Sequence, residues 1–146
     1  MKKSILALLC FICLQVPSFA DVVRSIEKSQ LPERTQKFLD EHFPQIMVSH
    51  IKAEKNLFGI TSYDIILTNG FDLEFDKKGE WTEIDGEKLE VPEAIVPEKI
   101  RKSVAEKFPG KKIVQIKKKK RLFEVEISDG ADLIYTQDGT FKGYDD

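Results

Sequence analysis

Three acidic residues alternate along a short stretch of the chain, and their spacing raises the question of metal binding. Asp72, Glu74 and Asp76 are followed by Gly79, which resembles part of a calcium-binding loop. Such a loop needs acids at set positions over about a dozen residues and a bidentate Glu at its end. Here the acids alternate with apolar residues, as on the outward side of a β-strand. We therefore predict no metal site, and we interpret Asp76 as the cap of a turn that ends at Gly79.

The sequence lacks the constellations that nucleophilic, acid–base or phosphate chemistry usually needs. Its two histidines, His42 and His50, would have no thiol beside them, because Cys10 and Cys13 lie in an N-terminal segment that we expect to be removed. No serine stands in a nucleophile-elbow setting, and no glycine-rich stretch precedes a helix as a phosphate-binding loop does. We therefore predict that the protein is not an enzyme, has no catalytic residue and holds no cofactor.

The strongest charge feature is the basic run 117–121, with Lys111 and Lys112 shortly before it. One interpretation is a site for an anionic or acidic partner at a hairpin tip. The other is a solvated strand edge, where lysine prevents unwanted pairing. We favour the edge and predict no nucleic-acid binding, because a nucleic-acid surface usually interleaves aromatic residues and raises the net charge.

Residues 1–20 have the pattern of a cleaved export signal. Lys2 and Lys3 precede an almost wholly apolar run, Ile5 to Leu14, and Ser18-Phe19-Ala20 offers small residues where a signal peptidase cuts. The apolar run is shorter than the ~20 residues of a membrane span. We predict a periplasmic or secreted protein with no membrane insertion after cleavage.

Cleavage would change the formal net charge of the chain from −2 to −4, because residues 1–20 contain two lysines and no acid. A mildly acidic chain has no general attraction for nucleic acid or for an anionic membrane. The charge balance therefore favours neither partner.

The stretch 69–85, NGFDLEFDKKGEWTEID, has a close counterpart at 129–145, DGADLIYTQDGTFKGYD. Both contain an Asn-Gly or Asp-Gly turn, three alternating apolar positions, a second turn ending in Gly and then an aromatic residue. Alternation at a period of two is typical of a half-buried strand, and the turns indicate hairpins. Each stretch is therefore predicted to form a two-stranded hairpin.

Two proline-framed stretches predict helices. One opens at Leu31-Pro32 and ends at Phe43-Pro44, and the other opens at Val96-Pro97 and ends at Phe108-Pro109. Proline suits the first turn of a helix, and a residue before proline is pushed out of the helical region. Two further extended runs follow each helix before the hairpin of the same half.

These elements predict an α+β fold. We expect a tandem repeat of one helix plus four antiparallel strands, with both helices packed on one face of an antiparallel sheet. The expected organisation is a signal peptide at 1–20, a first repeat at 21–86, a connector at 87–95 and a second repeat at 96–146. The two repeats would form one structural unit, with their half-sheets continuous or abutting.

Antiparallel sheets commonly leave one face exposed to solvent, and function is expected on that face. The predicted partner-binding face consists of Ile66, Asp72, Glu74, Ile84, Glu124, Glu126, Ile134 and Tyr144. Trp81 has two alternatives. With a bulge at Gly79 it joins the core opposite Phe75, and with a turn one residue longer it lies on the solvent face.

The sequence resembles the PepSY-like family of exported proteins, also described as beta-lactamase-inhibitor-like. The resemblance rests on Leu31-Pro32, the helix end Phe43-Pro44 and the segments DLEFDKKGEW and TQDGTFKGYDD, and it covers essentially the whole chain after residue 20. It implies a tandem helix-plus-four-strand fold in the cell envelope of Gram-negative bacteria and no assigned catalytic residues. The inhibitory role in the family's name rests on fold similarity, and a fold does not fix a function.

The expected function is that of a non-enzymatic exported binding protein. It would act as an inhibitor or sensor that uses the open sheet face on a protein or peptide of the cell envelope. The alternatives are a small-molecule or ion-binding carrier, and an envelope structural or stress protein without a specific ligand. A concave apolar patch on the sheet face would favour the first hypothesis, and an enclosed pocket between helices and sheet would favour the carrier.

Overall fold

The computed structural model describes residues 22–145. The predicted signal peptide, residues 1–20, lies outside the described residues. Within 22–145, neither helix is long and apolar enough to cross a membrane.

Nine strands and two α-helices follow one another along the described chain. In chain order they are β1 Val22–Ser25, α1 Glu33–His42, β2 Val48–Asn56, β3 Gly59–Leu67, β4 Asp72–Asp76, β5 Trp81–Asp85, α2 Glu98–Lys107, β6 Ile113–Lys118, β7 Leu122–Ile127, β8 Asp132–Thr136 and β9 Phe141–Tyr144. A short 3-10 turn, Lys28–Gln30, lies between β1 and α1.

All nine strands belong to one antiparallel sheet in which each strand pairs with the next along the chain. The predicted tandem repeat of one helix plus four strands is therefore wrong. The lead-in to the first helix adds a strand, β1, that pairs with β2, and β5 pairs directly with β6 through Ile84 and Ile116. The β5–β6 pairing satisfies backbone groups that two separate sheets would leave bare at their edges.

The two helices begin and end where the prolines predict. Pro32 and Pro97 occupy the position before the first helical residue, and the last turns close at Phe43 and Phe108, each followed by proline. Each helix buries a narrow apolar stripe on the same sheet face. The buried helix residues are Thr35, Leu39, Ile100 and Val104.

One core joins the helices to the inward side of the sheet along its whole width. Beneath α1, the Phe38 ring meets the Phe75 ring at 5.4 Å, and beneath α2, Leu133 and Tyr135 are fully buried. The three alternating apolar positions of the stretch 69–85 are Phe71, Leu73 and Phe75, and all three are buried in this core. Because this core and the helices cover one face of the sheet, only the other face is open to solvent.

The turns of the β4–β5 and β8–β9 hairpins press against the first turns of the helices. Gly79 and Gly139 both have a left-handed φ, of 80° and 85°. A Cβ on Gly79 would lie 2.6 Å from the Thr35 hydroxyl oxygen, and one on Gly139 would lie 2.7 Å from the Lys99 Cβ. Glycine is needed at both positions for the backbone conformation and for the close approach.

A β-bulge in the β4–β5 pair corrects the prediction for Ile84. Phe75 pairs with Trp81, but Glu74 pairs with Glu83, so that one extra residue lies between the two pairs. The extra residue reverses the alternation of β5. Ile84 therefore lies opposite Leu73, is fully buried in the core and is not part of the open face.

A bulge at the same place in the β8–β9 pair corrects the prediction for Tyr144. Tyr135 pairs with Phe141 and Ile134 pairs with Gly143, which brings Tyr144 opposite the inward residue Leu133. Tyr144 is 61% exposed, yet its ring contacts Phe108 and Phe141 on the helix side of the sheet, at 6.1 and 6.0 Å between centroids. It is an edge residue of the covered face.

Candidate functional site: the open face of the sheet

The open face, defined as the sheet surface turned away from the helices, carries two rows of side chains that cross the strands. Cross-strand pairing aligns each row from β3 to β8. One row consists of Ile66, Asp72, Asp85, Gln115, Glu126 and Asp132. The other consists of Asp64, Glu74, Glu83, Lys117, Glu124 and Ile134, and it continues to Lys52 on β2.

Most of the sequence-predicted site residues do share this surface. Ile66, Asp72, Glu74, Glu124, Glu126 and Ile134 all point outward, whereas Ile84 and Tyr144 belong to the other side. The sequence prediction missed Glu83 and Asp85, because strict alternation from Trp81 assigns them to the wrong side. The apolar character of Ile84 among polar neighbours was the one available sign of the bulge.

The two rows hold eight carboxylates and two lysines. Glu74 lies directly opposite Glu83, and Asp72 lies directly opposite Asp85. Directly opposed residues have Cβ atoms about 5 Å apart, at which distance like charges repel. Burial and the charge of Glu83 raise the pKa of Glu74, and burial and the charge of Asp132 raise the pKa of Glu126. The face therefore carries concentrated and mutually repelling negative charge.

Asp72 is the most perturbed group on the face. Burial, a hydrogen bond to Asp64 and the negative charge of Asp64 raise its pKa to about 7. One carboxylate oxygen of each residue is buried without a hydrogen-bond donor from the described residues. A proton on Asp72 would let this side chain donate a hydrogen bond to Asp64, and Asp72 changes its charge near neutral pH.

The acids of β5 are paired with side chains of β6. The Gln115 side-chain amide donates to Glu83 at 2.7 Å and to Asp85 at 3.0 Å. Lys117 forms an ion pair with Glu83 at 3.0 Å. Burial alone would lower the pKa of Lys117, but the hydrogen bond and charge of Glu83 raise it. The buried carboxylate oxygens without a donor thus lie on β3 and β4.

In residues 22–145, no group of three His, Cys, Asp or Glu side chains could hold a metal ion. His42 lies half-buried at the end of α1, with its ring 4.5 Å from the Phe38 ring. His50 is exposed on β2, opposite Ile66. The two histidines therefore belong to different sides of the sheet.

A groove of about 390 Å³ lies on the helix side, between α1 and the β4–β5 hairpin. Trp81 is half-buried in its wall, with its ring 6.4 Å from the Phe123 ring and the Lys118 ammonium 4.2 Å above it. Of the two alternatives for Trp81, the position opposite Phe75 on the core side is the one found. The groove is lined mainly by polar atoms, and Arg34 and Glu80 close part of it with an ion pair of 2.7 Å.

A single antiparallel sheet with two helices on one face and an acidic open face defines a small α+β protein without a recognisable catalytic centre in its described part. The chain belongs to the PepSY-like family: residues 61–143 match the family described as "Putative beta-lactamase-inhibitor-like, PepSY-like". The sequence-based resemblance to that family is therefore confirmed. None of the curated proteins matches the chain.

Three solved structures from Bacteroides share the fold over nearly their whole lengths. A "putative periplasmic protein" of Bacteroides vulgatus is 39% identical, with a TM-score of 0.80, and the match covers 87% of this chain and 99% of that one. A "putative calcium-regulated periplasmic protein" of Bacteroides thetaiotaomicron is 34% identical, with a TM-score of 0.79 and coverages of 85% and 97%. A second B. vulgatus protein, "of unknown function", is 36% identical, with a TM-score of 0.79 and coverages of 87% and 100%.

Proposed function

We propose that this protein is an exported, non-enzymatic binding protein whose open face binds a positively charged segment of a protein or peptide in the cell envelope. The observation that carries the proposal is the charge of the two rows, eight carboxylates against two lysines. Complementary charge on a partner would relieve the repulsion between opposed acids and would speed association.

The groups around β3 and β4 are suited to lysine or arginine side chains. Asp64 and Asp72 each have a buried oxygen without a donor, and an ammonium or guanidinium group offers several donors at once. Ile66 and Ile134 are partly exposed at the two ends of the rows and would give the partner apolar contact. An extended segment laid across the strands could contact both rows over several strands, which a small molecule could not do.

An envelope location supports the same proposal. The three Bacteroides relatives are described as periplasmic, and residues 1–20 have the pattern of an export signal. In that compartment the open face would act as an inhibitor or as a sensor. Because the pKa of Asp72 is about 7, its negative charge, and with it the affinity for a cationic partner, should increase as the pH rises through neutrality.

Fluorescence anisotropy with a labelled lysine-rich peptide tests the proposal. Glu74→Gln combined with Glu126→Gln removes two open-face charges that have no ion pair in the described structure, and it should weaken binding about fivefold. The matched control, Glu33→Gln with Glu106→Gln, removes two exposed helix charges that also have no ion pair in the described structure, and it should change the affinity much less. Equal losses in both variants would show that only the net charge matters and would contradict the proposal.

Calcium binding is a second candidate, favoured by the donor-free oxygens of Asp64 and Asp72 and by the description of the B. thetaiotaomicron relative as a "putative calcium-regulated periplasmic protein". The lack of a third converging ligand in residues 22–145 argues against it. A rise in melting temperature with calcium that magnesium does not reproduce, and that Asp72→Asn abolishes, would favour calcium over the cationic segment.

A further inference from the structure

One end of the sheet gathers the hairpin loops that connect β2 to β3, β4 to β5, β6 to β7 and β8 to β9. The strands are antiparallel and lie in chain order, so these four loops must emerge on the same side, with neighbouring loops roughly 10 Å apart for two strand spacings. We call this side the hairpin end. Its loops contain two acids, Glu80, which pairs with Arg34 at 2.7 Å, and Asp138. Its apolar and cationic residues are Lys55 at the turn-side end of β2 and, in the loops, Leu57, Phe58, Lys77, Lys78, Lys119, Lys120 and Arg121.

The β2–β3 loop exposes two large apolar side chains. Asn56 pairs with Gly59, so that only Leu57 and Phe58 form the loop. Their exposed fractions are 70% and 96%, and Ile60 beside them is 38% exposed. Two-residue loops normally contain Asn, Asp or Gly. Leu57 and Phe58 are therefore unusual at this place.

The turn itself does not need these apolar side chains. The Asn56 side-chain oxygen accepts a hydrogen bond from the Phe58 amide at 2.8 Å, and Gly59 adopts the positive φ of 119°. The β2–β3 ladder continues beyond Ser62, the last β3 residue paired with β4, by about three residues or roughly 10 Å. Leu57 and Phe58 thus stand at the tip of a projecting hairpin.

Exposed positive charge lies beside this apolar tip and along the same end of the sheet. Lys55, Lys77, Lys78, Lys120 and Arg121 are all exposed, and none of them forms an ion pair with another described residue. The acids of the sheet lie mainly on the open face instead. The chain as a whole is mildly acidic, but its charge is segregated.

We propose that the hairpin end docks onto an anionic lipid surface. Leu57 and Phe58 enter the interfacial layer, while the lysines and Arg121 contact headgroup phosphates. Apolar side chains that penetrate the interface and cations that lie near anionic headgroups add their contributions in this type of binding. The net charge of the chain alone predicts no attraction to an anionic membrane. That prediction assumes evenly distributed charge, whereas positive charge is concentrated at the hairpin end.

Vesicle co-sedimentation tests the apolar part of the proposal. The chain beginning at Asp21 retains every described helix and strand, and it should bind vesicles of phosphatidylglycerol and phosphatidylethanolamine at low salt but not vesicles of phosphatidylcholine. Leu57→Ser with Phe58→Ser should lower the partition coefficient about tenfold. The control Met47→Ser with Leu89→Ser removes exposed apolar side chains at the opposite end and should leave binding unchanged.

The charge part has its own matched pair of variants. Lys120→Gln with Arg121→Gln should weaken binding to the anionic vesicles by about fivefold per charge. Lys88→Gln with Lys112→Gln makes the same charge change at the other end and should have little effect. An equal loss of vesicle binding in the two double variants would overturn the proposal.

Two other outcomes would also overturn it. One is that the unmodified chain fails to co-sediment with anionic vesicles at low salt. The other is that sedimentation velocity shows self-association that Leu57→Ser with Phe58→Ser abolishes, without any vesicle binding. The apolar tip would then be a contact between copies of the chain. Because these variants leave the open face unchanged, failure here would not affect the proposal for the cationic partner.

Discussion

The β4–β5 and β8–β9 hairpins are built alike on their inward side and differently on their outward side. In both hairpins the second strand has a bulge, opposite the step from Glu74 to Phe75 in one and from Ile134 to Tyr135 in the other. Both also place a glycine with a left-handed backbone against the first turn of a helix. The inward residues of their first strands are apolar, and Leu73, Phe75, Leu133 and Tyr135 are all buried. Their outward residues are Asp72, Glu74 and Asp76 in β4, and Asp132, Ile134 and Thr136 in β8.

This difference separates the residues that build the fold from those that can bind a partner. The inward residues and the glycines are needed for the same packing in both hairpins. The outward residues of β4 have acids on both sides, from Asp64 on β3 and from Glu83 on β5, whereas β8 lies next to the edge strand. The negative charge of the open face is therefore centred on β3–β5. The following predictions test this division, from the largest expected effect to the smallest.

The largest effect should come from separating the hairpins. The fragment 21–86 ends after β5 and loses the β5–β6 pairing and the half of the common core that α2 and β6–β9 supply. It should show no cooperative thermal transition by circular dichroism, because each helix and half-sheet forms a thin layer that buries too little apolar surface. A cooperative transition would show that the two halves are independent domains.

Truncation of Ile84 should be much more costly than truncation of Tyr144. Ile84 is fully buried and Tyr144 is 61% exposed. Ile84→Ala should therefore lower the free energy of unfolding by about 3–4 kcal/mol, and Tyr144→Ala by about 1 kcal/mol or less. Urea denaturation measures both values. Similar small losses would mean that the alternation of β5 is not reversed by the bulge.

The two hairpin glycines should be about equally sensitive. Gly79→Ala and Gly139→Ala each place a Cβ in a left-handed backbone and within 2.8 Å of a helix side chain. We expect a loss of about 2–3 kcal/mol in each case, measured in the same urea experiment. A loss of stability in Gly79→Ala alone would show that the contact between the β8–β9 turn and α2 contributes less to stability than the contact between the β4–β5 turn and α1.

Asp72→Asn should change the free energy of unfolding least, and the change should depend on pH. The pKa of Asp72 is 3.8 in its ordinary state and about 7 in the fold. Below the lower value Asp72 is protonated in both the folded and unfolded states. As the pH rises towards the higher value, the unfolded chain loses the proton first, and stability falls.

Asparagine cannot titrate and can donate a hydrogen bond to Asp64. Because Asp72 is only partly buried, screening by solvent limits the gain from Asp72→Asn to roughly 1 kcal/mol at about pH 8, and the gain should vanish below about pH 4. Thermal melts at several pH values measure it. Asp132→Asn in β8 is the matched control, and a gain of the same size there would contradict the special position of β4.

Local sequence patterns predicted the helices and the inward residues well, because proline and alternating apolar positions act within a few residues. Phe71, Leu73 and Phe75 are found where alternation places them. The same rule failed at Ile84 and Tyr144, because the extra residues Thr82 and Lys142 break the period of two. The β5–β6 pairing joins strands that are separated by α2, and no local pattern encodes it. The raised pKa of Asp72 likewise depends on a contact across strands, because β3–β4 pairing brings Asp64 beside it.

We propose that the open face, around β3–β5, is the surface that binds a cationic partner. Amide chemical-shift mapping of the isotope-labelled chain from Asp21, titrated with the lysine-rich peptide, locates the bound surface residue by residue. We expect the largest changes at Asp64, Asp72, Glu74 and Glu83 and little change in α1 and α2. Changes centred on the helices or on the groove beside Trp81, with the open face unaffected, would contradict the proposal.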